Sequence, residues 1–237
     1  MGVFKEKIYG CIASIPTRAV QLQVVLDSIL SQVDELVVFL NNYDSIPDFL
    51  HNKKIKFFRS QNYGDQADNG KFWLAHKLDG YIFTLDDDIK YPNNYIQILI
   101  KKIEQYKRKA LICVHGNIIP FYPIKSYYKD KKGLHFAKLL LHDVNVDVPG
   151  TGTLAYHSEL LQINISDFPQ KHMTDIWIFV LARQKSIPII AIEREVNWLQ
   201  QLAISDFRHS IYAQYSNNDQ IQTELINRYM KFPAYNR

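Results

Sequence analysis

Three consecutive carboxylates, Asp86, Asp87 and Asp88, follow directly on the apolar run Tyr81-Ile-Phe-Thr-Leu85. Adjacent like charges repel, and the repulsion grows where an apolar strand emerges and the local dielectric is low. A divalent cation relieves it, and hard carboxylate oxygens suit Mg2+ or Mn2+. If the backbone stays extended, Asp86 and Asp88 point to one side and Asp87 to the other. Two same-side carboxylates can share a metal that also binds a diphosphate and neutralises a leaving group. A solvated acidic loop is the alternative reading of the same triplet.

The elements around the triplet say what must position it. Lys7 to Ser14 is a short apolar run stopped by Pro16, which predicts a buried strand. Apolar residues at Val20, Leu22, Val25, Leu26, Ile29 and Leu30 predict an amphipathic helix over 17–32, with Thr17 as its cap. Glu35 to Asn41 and Ile55 to Arg59 read as further strands, and Asn69 to Leu78 as a second helix. Tyr81 to Leu85 is the fourth strand and ends in the triplet. Pro92 opens a helix to about Lys109, and Leu111 to His115 is the fifth strand. This alternation predicts an α/β fold, an open and mostly parallel sheet with helices on both faces and ligands at the carboxyl ends of its strands. Residues 1–117 then form a Rossmann-like nucleotide-binding half.

The pattern loosens after Gly116. Strand character returns at 146–156 around Pro149-Gly-Thr-Gly-Thr153, which lacks the Lys-Ser/Thr ending of a P-loop. That segment either brings backbone close to a ligand or makes a tight turn. Helical spacing covers 174–185, a strand 187–192, and a helix 219–229. With no repeat, low-complexity tract or linker, one domain spans 1–237, divided as 1–117, 118–205 and a tail over 206–237.

The 237 residues are 47% apolar and 22% charged, a globular composition with a net charge of +4, too mild to imply nucleic acid. No apolar run approaches the roughly 20 residues of a membrane span, and the first residues lack the h-region of a signal peptide. Cys11 and Cys113 lie in apolar runs and read as buried free thiols of a reducing, cytoplasmic compartment. The basic-aromatic stretch Lys125 to Lys138 suits an anionic membrane surface at the inner face, an acidic glycan or a lid over a site. The run Lys101 to Lys109 reads as a solvated helix face.

Strand Ile8 to Ser14 with Ile15-Pro-Thr-Arg18, together with Tyr81-Ile-Phe-Thr-Leu-Asp-Asp-Asp-Ile-Lys-Tyr-Pro92, resembles the GT-A glycosyltransferases, closest to glycosyltransferase family 2. By element order the resemblance covers 7–200. It implies a nucleoside diphosphate sugar donor, a UDP-sugar foremost, a Mn2+ or Mg2+ ion, and a glycan or lipid-linked glycan acceptor. Asp86 and Asp88 would hold the metal. Pro16, Thr17, Arg18, Asp68, Lys71, Asp86 and Asp87 would bind the donor, with Asp68 near the base and Lys71 near phosphate. The family often has an acidic residue after its second strand, where this chain has Asn41-Asn-Tyr-Asp44.

Inverting members need a general base at the start of a helix in the second half, a position that His172-Met-Thr-Asp175 fits through Asp175; capping of that helix is the other use for Thr174 or Asp175. His209, with His157 behind it, is the third metal ligand that the resemblance suggests. The implied function is an inverting, metal-dependent transfer in bacterial surface polysaccharide synthesis. The alternatives are a sugar nucleotidyltransferase, for which a glycine-rich loop after the first strand is missing, and a catalytically silent carbohydrate-binding protein.

Overall fold

The computed structural model describes residues 6–203 and 218–231. The strands in chain order are β1 (Lys7–Ser14), β2 (Glu35–Leu40), β3 (Ile55–Arg59), β4 (Gly80–Leu85), β5 (Ile89–Lys90), β6 (Leu111–Cys113), β7 (Gly116–Ile118), β8 (Lys132–Leu134), β9 (Val144–Val146), β10 (Val148–Pro149), β11 (Thr153–His157), β12 (Ile189–Ala191) and β13 (Gln200–Gln201). The main sheet has eight strands in the order β3-β2-β1-β4-β11-β6-β12-β9. β1 pairs in parallel with β2 and β4, and β2 with β3, as the alternation predicts. β11 runs antiparallel between β4 and β6, and β9 is antiparallel to β12. All six residues of β4 are buried. Strands covered on both faces read as continuous apolar runs, which is why β1, β2 and β4 stand out in the sequence.

The helices are α1 (Ala19–Ile29), α2 (Ser60–Tyr63), α3 (Tyr95–Gln105), α4 (Tyr127–Asp130), α5 (Thr174–Gln184) and α6 (Gln220–Tyr229). α1 buries Leu22, Val25, Leu26 and Ile29, the i, i+3, i+4, i+7 stripe that faces a sheet. With α3 it covers one face of the sheet, where Ile12, Leu85, Tyr91, Tyr95 and Leu99 share a core. The other face packs Cys11, Phe72, Ile82 and Tyr156 with Ile178 and Ala182 of α5. A third cluster joins α4, α5 and α6 through Tyr127, Met173, Phe179 and Ile226. Cys11 and Cys113 are buried free thiols, as expected.

Three local expectations are corrected. Thr17 does not cap α1: Pro16–Arg18 forms a separate 3-10 turn and Arg18 is the residue before the helix. The helix expected over 69–78 is two 3-10 turns, Ala67–Phe72 and Ala75–Lys77. A side chain at Gly70 would overlap the Phe39 ring, so this segment is shaped by its close approach to β2 rather than by helical spacing. The helix opened by Pro92 starts at Tyr95 and ends at Gln105, since Lys107 and Arg108 take positive φ (55° and 56°).

Candidate active site

At the carboxyl ends of β1 and β4 lies a cleft of about 650 Å3. Its floor is the Asp triplet, and its far wall is the start of α5 with α4 and residues 131–136. β4 ends at Leu85, and Asp87 and Asp88 form a turn into β5. Strict alternation therefore stops at Asp86, and all three carboxylates line the cleft. β13 pairs with β5 and holds this turn, its Gln201, which also lines the cleft, donating through Nε2 to the Asp88 carbonyl at 3.1 Å.

Each carboxylate of the triplet meets a protein cation. Lys71 Nζ lies 2.5 Å from Asp86 Oδ1, and Lys71 itself is buried. Arg18 Nη1 is 3.3 Å from Asp87 Oδ1 and also bonds Asp88 Oδ2. Burial pulls the Lys71 ammonium down, but Asp86 and Asp68 outweigh it and its pKa lies above the usual value. Burial raises Asp87 to about 7, against the pull of Ser14 and Arg18. Asp88 is raised by burial and by Asp86. Carboxylate oxygens are the donor type that Mg2+ and Mn2+ take; here those of Asp86 and Asp88 meet Lys71 and Arg18.

The glycine-rich segment has a definite use here. A side chain at Gly152 would overlap the Asp86 carboxylate, and one at Gly150 would overlap the His115 ring. The loop approaches protein side chains, which leaves Asp86 room beside its backbone. Tyr91 fixes this arrangement from beneath. Its hydroxyl accepts from Asp86 N at 2.9 Å and donates to the Gly152 carbonyl at 2.6 Å.

Asp175 stands at the first turn of α5 and lines the same cleft. Its Oδ1 accepts from Thr151 N (2.8 Å) and Thr151 Oγ1 (2.6 Å). The Thr151 carbonyl in turn accepts from Thr84 Oγ1 of β4 at 2.5 Å. Burial raises the Asp175 carboxyl, with the Thr151 hydrogen bonds pulling the other way. Neither Thr174 nor Asp175 caps α5. Asp68 holds the start of α5 instead, its carboxylate accepting from Thr174 N at 3.4 Å, Thr174 Oγ1 at 2.8 Å and His172 N at 2.7 Å.

The remaining expected residues divide. Arg18, Asp68 and Lys71 line the cleft, whereas Pro16 and Thr17 are exposed and do not. Of the segment after β2, Asn41 lines the cleft and Asp44 does not; the Asn41 amide holds Ala67 O and Gln66 N, both at 2.9 Å. His157 is ruled out as a ligand beside the triplet. It pairs with Tyr81 at the far end of β4, four positions from the Thr153–Leu85 pair, and its Nε2 lies 3.2 Å from Arg108 Nη1 and 3.3 Å from Glu6 Oε1. His209 falls outside the described residues.

Sequence reasoning missed His115, Thr151 and Tyr91 as parts of the site. His115 lines the cleft; burial drives its pKa down to about 3, so it is neutral. The signals were a strand ending in His, a threonine between glycines, and the Tyr91-Pro92 pair.

The fold resembles that of a solved structure. The crystal structure of S. aureus TarS 1–349 superposes with a TM-score of 0.51 at 11% identity, over 80% of this chain and 59% of that one. The fold is of the GT-A type. The galactosyltransferase LgtC in complex with donor and acceptor sugar analogues matches at a TM-score of 0.41 and 13% identity, over 72% of this chain and 64% of that one. The chain thus spans less than two thirds of either structure's length. No protein-family model matches the chain, and no curated protein matches its sequence. Among the described residues of this GT-A fold, no helix is long and apolar enough to cross a membrane.

Proposed function

We propose that the chain is a glycosyltransferase that moves a sugar from a nucleoside diphosphate sugar to a glycan hydroxyl. The observation that carries this is the meeting of Asp86 and Asp88 with Asp175 across one cleft of a GT-A fold. Asp175 is the general base. Its Oδ1 is held by Thr151, and its raised pKa strengthens it as a proton acceptor. As the acceptor oxygen bonds to the anomeric carbon, its proton passes to Asp175. The bond from that carbon to the diphosphate oxygen breaks on the opposite side, which inverts the centre and releases the nucleoside diphosphate.

Arg18 and Lys71 bring two positive charges to the end of the cleft where the leaving group gathers charge. A Mn2+ or Mg2+ ion held by Asp86 and Asp88 would act there as a Lewis acid on the diphosphate. The expected donor is a UDP-sugar. A place in bacterial surface polysaccharide synthesis with a glycan or lipid-linked acceptor rests on the sequence resemblance, and peripheral contact at the inner face of a membrane on the basic-aromatic stretch Lys125 to Lys138.

The test is to incubate the protein with a panel of sugar nucleotides and Mn2+, and to measure release of nucleoside diphosphate with and without glycans. Release from one donor class, lost in Asp175→Asn, is the expected result. Pyrophosphate release from a nucleoside triphosphate and sugar phosphate would point instead to a nucleotidyltransferase. Glycan binding without turnover of any donor would point to a silent binding protein.

A further inference from the structure

The cations of the cleft are not equivalent. Arg18 and Lys71 are bonded to the Asp triplet. Lys131 lines the same cleft with no carboxylate at ion-pair distance among the described residues. Its ammonium lies over two tyrosine rings instead, 4.4 Å from the Tyr127 centroid and 4.7 Å from that of Tyr128. Tyrosine faces attract a cation but do not neutralise it.

This arrangement is built rather than incidental. Tyr127 is buried, Thr223 Oγ1 of α6 accepts from Tyr127 N at 2.9 Å, and Asp219 Oδ2 accepts from Tyr128 N at 2.8 Å. Burial lowers the Lys131 pKa, and Asp175 and Asp219 only partly offset it. A desolvated ammonium without a counter-ion is costly, and an anionic ligand oxygen removes that cost. His115 lines the same cleft, and its Nδ1 is buried without a hydrogen-bond partner among the described residues.

We infer that Lys131 receives an anionic group of the acceptor, so that the acceptor is an acidic glycan bearing carboxylate or phosphodiester groups. The inference rests on the glycosyltransferase reading and deepens it. The acceptor is favoured over the donor diphosphate because Arg18 and Lys71 already serve the Asp end. Lys131 lines the cleft with Tyr127, Tyr128 and Gln222, near enough to the proposed base Asp175 for that carboxylate to act on its charge.

The experiment titrates wild-type protein, Lys131→Met and Lys131→Arg with UDP, UMP, and paired acidic and neutral oligosaccharides. The pairs are sialyllactose with lactose, a trigalacturonate with its methyl ester, and a phosphodiester-linked disaccharide with its neutral counterpart. Oligosaccharides are added at saturating UDP and Mn2+. At least one acidic member should bind wild type about tenfold or more tightly than its neutral partner, as expected for one charged hydrogen bond. Lys131→Met should erase the difference and Lys131→Arg should keep it, with UDP affinity unchanged in both.

Equal binding of acidic and neutral members, or binding of none, would overturn the inference. So would a loss of UDP affinity relative to UMP in Lys131→Met, since Lys131 would then serve the diphosphate. If no nucleoside diphosphate binds wild type at all, the glycosyltransferase reading itself falls, and this inference with it.

Discussion

Thr151 holds Asp175 by two hydrogen bonds to one oxygen, from its backbone amide at 2.8 Å and its hydroxyl at 2.6 Å. The other oxygen, Oδ2, accepts no hydrogen bond from the described residues. A carboxylate fixed on one side and open on the other is suited to take a proton. Asp175→Asn should therefore lower turnover by roughly 100- to 10,000-fold, while nucleotide affinity stays at the wild-type value. Single-turnover kinetics beside nucleotide titrations would check both halves.

The same pair predicts a pH effect. The Thr151 hydrogen bonds favour the charged carboxylate, while burial opposes it and sets the net upward direction. Removing the hydroxyl in Thr151→Val takes away stabilisation of the charged form, so the Asp175 pKa should climb further. Because the base works deprotonated, the acid limb of the pH–rate profile should move to higher pH. A limb that stays put or moves down would separate Thr151 from the base.

Asp87 predicts a pH dependence of stability instead of rate. Its folded pKa is raised to about 7 by burial, whereas in the unfolded chain it titrates near the ordinary value of about 3.9. Between these values the folded state binds more protons than the unfolded one, so stability falls as pH rises through this window. Thermal melts in chelator from pH 5 to pH 8 should show this loss, and Asp87→Asn should flatten it. Asp86 and Asp88, with their partners Lys71 and Arg18, are unchanged in the variant, which makes it the proper control.

Tyr91 and Gly152 test how the floor of the cleft is built. Tyr91→Phe leaves the buried Asp86 amide and Gly152 carbonyl without the partner they share. The expected cost is about 1–3 kcal/mol, with weaker nucleotide binding as Asp86 loses its anchor. Gly152→Ala places a methyl where the Asp86 carboxylate sits. It should weaken metal-dependent nucleotide binding more than it lowers the melting temperature.

The contrast between floor and wall shows what a sequence can carry. β1, β2 and β4 are continuous apolar runs and were legible, and so was the placing of the Asp triplet at the end of β4. Asp175 came from the family resemblance, as an acidic residue at the start of a helix in the second half, and it does stand at the first turn of α5 in the cleft. The expected Asp86/Asp88 alternation failed because the chain turns at Asp87, and a turn is set by β13 pairing with β5 from more than a hundred residues away. Asp68, expected near the base from the family resemblance, lines the cleft and is also tied to the start of α5, a partner 106 residues on that no local pattern encodes. The use of α6, whose Gln222 lines the cleft, also depends on packing against α4 and α5 that no local pattern encodes.

The most direct test of the account is a thermal-shift titration of nucleoside diphosphates against wild type and Asp88→Ala, each with Mn2+, Mg2+ or chelator. A ligand at about 100-fold excess over its Kd adds roughly 2.7 kcal/mol to the native state. The account predicts a metal-dependent rise in melting temperature with one nucleoside diphosphate class, UDP foremost, that disappears in Asp88→Ala although the variant still unfolds cooperatively. No shift with any nucleoside diphosphate, or an equal shift in Asp88→Ala, would contradict it.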